Sequence, residues 1–345
     1  MARLISNLDL FAAYARFGRG SQISLRDTSA IEDFASHVKA QVTDAVLNPI
    51  VIHGQRAQNM FEAMMIGFGG YRLLKVEDGG RYHPEEDFEV PDFRIVLSNG
   101  DMLLVEVKNH YGKDPFKQTA KFKSDYLKRM SEYSKLVGCQ LRIAIYWARW
   151  GFWTLTDPED LAANESNSTI SMTDAMRVSE MARLGDVTIG TKAPLKFRMV
   201  ADQSKPRFIE NGQANITICQ VQLFCDQSEI IDENDKRLVW LLMQFGDWET
   251  EPPTAIMDGD LVDALECQWS PQQASDDQGF DMIGTASTIF SRYFALNTTS
   301  GGEILQTEIE PVPDWLAPIL SDRPTSDALP IWKFFLQPNR QRRAT

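Results

Sequence analysis

Asp92, Glu106 and Lys108 are residues whose types and spacing could do chemistry together. Asp92 follows Pro91 and opens the apolar run 93–97, while Glu106 and Lys108 close the next run, 102–107. Between the runs lies Ser98-Asn99-Gly100-Asp101, a strong hairpin signal. Folding that hairpin returns Asp92 to the neighbourhood of Glu106 and Lys108. Two carboxylates with a backbone carbonyl, here that of Val107, form a hard oxygen site suited to Mg²⁺, waters completing the octahedron. A metal-bound water has a lowered pKa, and the cation stabilises charge on a phosphate under in-line attack. Lys108 could orient or deprotonate that water, or stabilise the pentavalent phosphorus. Those are the parts needed to hydrolyse a phosphodiester.

The turn decides whether these groups meet. With Asn99-Gly100 as a two-residue loop, Ser98 faces Asp101 and Asp92 falls opposite Val107. Placing Asp92 on the same face as Glu106 needs a three-residue loop or a bulge. Within the second strand Met102, Leu104, Glu106 and Lys108 share a face by the period of two.

The elements that must hold these residues read as an α/β unit over residues 49–156. Residues 55–68 place Met60, Phe61, Met64, Met65 and Phe68 at helical spacing and stop at Gly69-Gly70. A strand over 71–76, a polar loop over 78–86 and the hairpin follow. A long helix is expected from Asp114 or Pro115 to about Val137, then a buried strand over 141–146 and an edge strand over 151–155. Trp147, Trp150 and Trp153 read as core and edge packing rather than base-stacking platforms. His110 reads as a strand-end histidine.

Residues 1–48 read as a helical arm packing on the main domain, with helices near Phe11 and near Phe34. Residues 157–185 read as a mainly helical connector. Residues 186–345 read as a separate α+β C-terminal domain of unassigned role. It alternates in a β-like way over 187–225 and carries expected helices at 235–245, 258–267 and about 283–296, then a strand over 301–309. Three short helices followed by a strand suit a winged-helix module. The basic tail 338–343 reads as disordered.

At 345 residues, 43% hydrophobic and 24% charged, the chain has room for two domains and the composition of a globular protein. No apolar run approaches the roughly 18–20 residues that span a bilayer. Asp9 interrupts the N-terminal apolar stretch, which argues against a signal peptide. Cys139, Cys219, Cys225 and Cys267 lack metal-like spacing and read as reduced thiols, so a cytoplasmic location is expected. A net charge of -13 argues against a protein that coats nucleic acid non-specifically. Residues 104–150, however, hold ten Lys and Arg against four acids, which fits one face for meeting a polyanion.

Pro91-Asp92, followed after a hairpin by Glu106-Val107-Lys108, resembles the signature of the PD-(D/E)xK nuclease superfamily. Gly69-Gly70-Tyr71-Arg72-Leu73-Leu74 is similar to the helix-to-strand passage of Holliday-junction resolvases and related endonucleases. The resemblance covers roughly residues 50–155 and implies a restriction-endonuclease-like mixed sheet flanked by helices. It implies Asp92, Glu106 and the Val107 carbonyl as Mg²⁺ ligands, with Mn²⁺ able to substitute. Glu62 on the preceding helix would add an acidic group, and Lys108 would be the catalytic amine. Gln118 would lie near the scissile phosphate, with Lys117 and Lys121 on the substrate. The implied function is a metal-dependent endonuclease acting on DNA in restriction, repair or recombination. A homodimer is implied by analogy, and the acidic C-terminal domain could recruit a protein partner; no membrane role is expected. The rival reading is a non-catalytic or RNA-directed nuclease-fold protein serving as an interaction scaffold.

Overall fold

Asn48 accepts the amide of Ile50 at 3.0 Å and Pro49 takes the first helical position, so the central helix starts ahead of residue 55. In this computed structural model the described residues are 7–21, 24, 26, 28–78, 83, 85–271 and 278–341. Two helices, α1 (Asn7–Ser21) and α2 (Ala30–Val46), precede the central α3 (Pro49–Phe68). Gly69, at a φ of 72° that favours glycine, ends α3 and turns the chain into β1 (Tyr71–Val76). The hairpin follows as β2 (Phe93–Leu97) and β3 (Met102–His110). Then come β4 (Thr119–Lys123), α4 (Ser124–Val137), β5 (Gln140–Trp147) and β6 (Phe152–Thr156).

The main sheet runs β1-β2-β3-β5-β6, antiparallel throughout except for the parallel β3–β5 pair, which α4 connects. Its two faces are covered by different layers. Leu103, Val105 and Val107 of β3 join Phe61, Met64 and Met65 of α3 in one core, while Leu104 joins Leu127 and Met130 of α4 in another. The alternation along β3 therefore sends Glu106 and Lys108 to the α4 face.

The expected helix from about 114 to Val137 is shorter than the sequence suggested. Residues 119–123 form β4, burying Ala120 and Phe122 while Thr119, Lys121 and Lys123 face out, a period of two that a helix cannot satisfy. β4 pairs with β8 (Asn167–Ser171), which also pairs with β7 (Ala162–Ala163). The expected helical connector over 157–185 is thus partly a small sheet, its α-helical part being α5 (Met172–Val178).

Beyond residue 186 the expected helix at 258–267 is instead a strand, Leu261–Ser270, in which Val262 and Ala264 are buried on alternate positions. That removes the middle helix of a winged-helix module. The helices there are α6 (Glu233–Phe245), α7 (Ala286–Thr298) and the short α8 (Ala317–Leu320), beside antiparallel sheets. Of the expected strand at 301–309, Glu303–Ile304 is extended. These elements share a core with the main sheet: Phe61 and Met64 belong to the same buried cluster as Leu242, Phe290 and Phe294. Trp153 Nε1 donates to Ser291 Oγ at 3.1 Å and Arg56 to Thr298 Oγ1 at 2.9 Å.

The arm lies against the start of α3, with Ala30 the one buried residue of α2. The tail docks as far as Arg340: the Asn339 amide donates to Arg177 O, and Arg340 pairs with Asp160 and Glu180. Residues 342–343 of the expected tail, and 79–82 and 84 of the expected polar loop, lie outside the described residues. Among the described residues no helix is long and apolar enough to cross a membrane.

Candidate active site

The hairpin adopts the three-residue form. Phe93 pairs with Val105 and Ile95 with Leu103, and the Leu97 amide reaches Asp101 O at 2.9 Å across Ser98-Asn99-Gly100. Gly100 has a φ of 93°, the left-handed residue that such loops carry. Extending this register by one residue sets Asp92 opposite Glu106, on one face.

Their environment is dense with donors. Asp92 is 7% and Glu106 2% exposed. Asp92 Oδ2 accepts the Val107 amide at 2.6 Å, and Oδ1 accepts Gln58 Nε2 of α3 at 2.6 Å. In a strand, a residue's N–H and C=O point to the same side, so the Val107 carbonyl is turned toward Asp92 as well. Glu106 Oε1 accepts the Tyr126 hydroxyl at 2.6 Å and lies 2.6 Å from Lys108 Nζ, which itself sits 5.1 Å from the centre of the Tyr126 ring. Burial, and next the charge of Glu106, push the Asp92 carboxyl up to about 7, against the downward pull of the Val107 amide and Lys108. Burial, and then the Glu106 carboxylate, raise the Tyr126 hydroxyl well above its ordinary range, so it remains a donor.

Asp92, Glu106, Val107 and Lys108 therefore meet; of the remaining sequence candidates Lys121 shares a cleft with Lys108, while Glu62, Gln118 and Lys117 form no hydrogen bond or ion pair with these four. The α3 residue on Asp92 is Gln58. Glu62, one turn later, is half-buried, and its carboxyl is raised by burial and next by Glu308. Gln118 is buried in the loop before β4, where its Oε1 accepts the Gly112 amide at 3.2 Å and its Nε2 donates to Pro115 O at 3.4 Å. Lys117 is exposed on that same loop. Lys121 lines an open cleft with Lys108, Lys123, Tyr126 and Arg129, a basic surface tempered by Glu89 and Asp125. His110 packs edge-on against Trp147 at 5.0 Å, and burial lowers its pKa. Among the described residues no group of three or more His, Cys, Asp and Glu side chains is placed to hold a metal ion.

Sequence reasoning missed Gln58 and Tyr126. The helical stripe of α3 puts position 58 one turn before Glu62, so spacing alone could have offered it. Tyr126 lies inside the helix expected from residue 114 onward, where its type and spacing do not mark it. Trp147 and Trp153 are buried as expected, but Trp150 is 48% exposed.

Compared with protein families and with curated proteins, the chain matches none. Among solved structures it is similar to Hjc, a Holliday junction resolvase from Archaeoglobus fulgidus, at 17% identity and a TM-score of 0.30, over 38% of this chain and 95% of that one. So loose an overlap carries no argument about this chain's chemistry.

Proposed function

We propose that the chain is a metal-dependent endonuclease that hydrolyses DNA phosphodiester bonds through a PD-(D/E)xK-type site. The observation that carries this reading is the convergence at the hairpin's open end, where Asp92 Oδ2 accepts the Val107 amide at 2.6 Å and Lys108 Nζ lies 2.6 Å from Glu106. Burial and the neighbouring Glu106 charge raise the pKa of Asp92, and a divalent cation would relieve that cost. The donor set is all oxygen (Asp92, Glu106 and the Val107 carbonyl), which suits Mg²⁺ or Mn²⁺. When bound, the cation would supply an activated water and charge stabilisation at the phosphate. The chain's own residues do the rest. Gln58 and the Val107 amide fix Asp92, Tyr126 fixes Glu106, and Lys108 offers an ammonium to the phosphate oxygens. Lys121, Lys123 and Arg129 line the cleft through which a phosphate backbone would approach.

Asp92→Asn and Lys108→Ala test the assignment. Each is expected to fold normally and to cut DNA at least roughly 10²–10³-fold more slowly with Mg²⁺ or Mn²⁺, a loss typical of removing one transition-state donor or ligand. Normal cleavage by Lys108→Ala would sink it.

One observation favours the scaffold reading: Gln58, the Val107 amide, Tyr126 and Lys108 already supply donors to both carboxylates. Calorimetry with Mn²⁺ separates the two, because a scaffold shows no binding that Asp92→Asn abolishes.

A further inference from the structure

The loop joining β3 to β4 carries exposed aromatic rings. Phe116 is 78%, Tyr111 64% and Trp150, on the β5–β6 turn, 48% exposed. Large rings set this far into water are costly unless something covers them. They also stand on a braced frame. Trp150 Nε1 donates to Pro115 O at 2.8 Å, and the Arg149 guanidinium donates to Lys113 O at 2.7 Å and to Gly112 O at 3.2 Å. Arg149 also lies 5.0 Å from the centre of the Tyr111 ring, and Phe116 meets Trp150 edge-on at 6.0 Å. The buried Gln118 ties Gly112 to Pro115 from beneath. The rings are thus held in place before any ligand arrives.

The charges around the rings point to the occupant. Lys113, Lys117 and Arg149 are exposed beside them, and the Asp114 carboxylate is engaged by the Phe116 amide at 2.9 Å. The loop runs directly from the strand bearing Glu106 and Lys108 to the strand bearing Lys121. Exposed π-faces interleaved with lysine and arginine suit stacked bases on a backbone of phosphates. A continuous duplex keeps its bases stacked on one another and offers these rings nothing.

We propose that Tyr111, Phe116 and Trp150 form a platform for unpaired bases, so that the strand presented to the site is single-stranded or locally unpaired. This rests on the nuclease reading for its purpose, but the binding itself can be tested without cleavage.

The test is fluorescence anisotropy on the full chain in EDTA, with labelled oligothymidylate, an abasic oligomer of equal length, oligouridylate and a blunt duplex. Oligothymidylate is expected to bind more tightly than the abasic strand, which keeps the phosphates and loses the rings' partners. Phe116→Ala is expected to weaken oligothymidylate roughly 5- to 100-fold, the loss typical of one base–aromatic stack, and to leave the duplex unchanged. Phe116 is the most exposed of the three rings, so the variant should keep the wild-type melting temperature. Lys117→Ala should weaken all four oligomers alike. Equal affinity for the abasic and thymidine strands, or an unchanged Phe116→Ala, overturns the proposal and leaves the rings to a protein partner. Tighter binding of oligouridylate than of oligothymidylate would keep the platform and overturn DNA as the substrate. Platform binding without cleavage under Mg²⁺ or Mn²⁺ would instead count against the nuclease reading alone.

Discussion

The Tyr126 hydroxyl donates to Glu106 Oε1 at 2.6 Å, the same oxygen that Lys108 Nζ approaches at 2.6 Å. Both donors converge on Oε1, so the orientation of the Glu106 carboxylate is set from the α4 side. The ring of Tyr126 also supports the lysine from below, at 5.1 Å. One α4 residue thereby positions two β3 residues.

Tyr126→Phe should separate these duties. It keeps the ring beneath Lys108 and removes the hydroxyl, so kcat is expected to fall roughly 10-fold or more with KM little changed, the signature of an interaction that matters in the transition state. Tyr126→Leu, which loses both contacts, should fall further. Steady-state kinetics on one oligonucleotide substrate check this, and equal kcat for wild type and Tyr126→Phe would refute the positioning role.

A second prediction concerns acid stability. Glu180 is buried and faces three guanidinium groups: Arg142 at 2.8 Å, Arg183 at 2.6 Å, and Arg340 from the tail. Burial alone would raise its carboxyl, but the three arginine hydrogen bonds prevail and hold it at about 2, below its ordinary 4.5. A depressed folded pKa gives stability that is present above the unfolded value and lost as pH falls through the folded one. The contribution, at most about 3 kcal/mol, should therefore disappear between roughly pH 4.5 and pH 2. Chemical denaturation across that range should show Glu180→Gln less stable than wild type at neutral pH and converging with it in acid.

The shared core supplies the third. Phe290 on α7 is 2% exposed and packs over Gly67 of α3, where an added Cβ would come within 3.3 Å of its ring. Phe290→Ala is expected to cost about 3–5 kcal/mol and to destabilise the main sheet together with the C-terminal elements in a single transition. Two separate transitions, with only the later one shifted, would restore the picture of independent domains.

The hairpin and the succession of elements along residues 49–156, β4 apart, were legible because they depend on local signals. Ser98-Asn99-Gly100 marks a turn, apolar runs of five or six residues mark strands, and Gly69-Gly70 ends a helix. β4 was missed because Thr119-Ala-Lys-Phe-Lys123 is too short and too basic to announce a strand; its partner is β8, from a stretch read as helical. Residues 258–267 failed for a related reason, since Val262, Ala264 and their neighbours suit either element until pairing decides. At the site, the acids and lysine stand out by type. Gln58 and Tyr126 do not, because a neutral side chain on a helix gains meaning from what folds against it.

The loop over Ser98-Asn99-Gly100 has a genetic consequence. Dropping one residue from it would move Asp92 off the face of Glu106 while leaving every chemical group of the site in the gene. On the proposed reading, a three-nucleotide change at a turn remote from the carboxylates would silence the site, and a comparison of its residues alone would not notice.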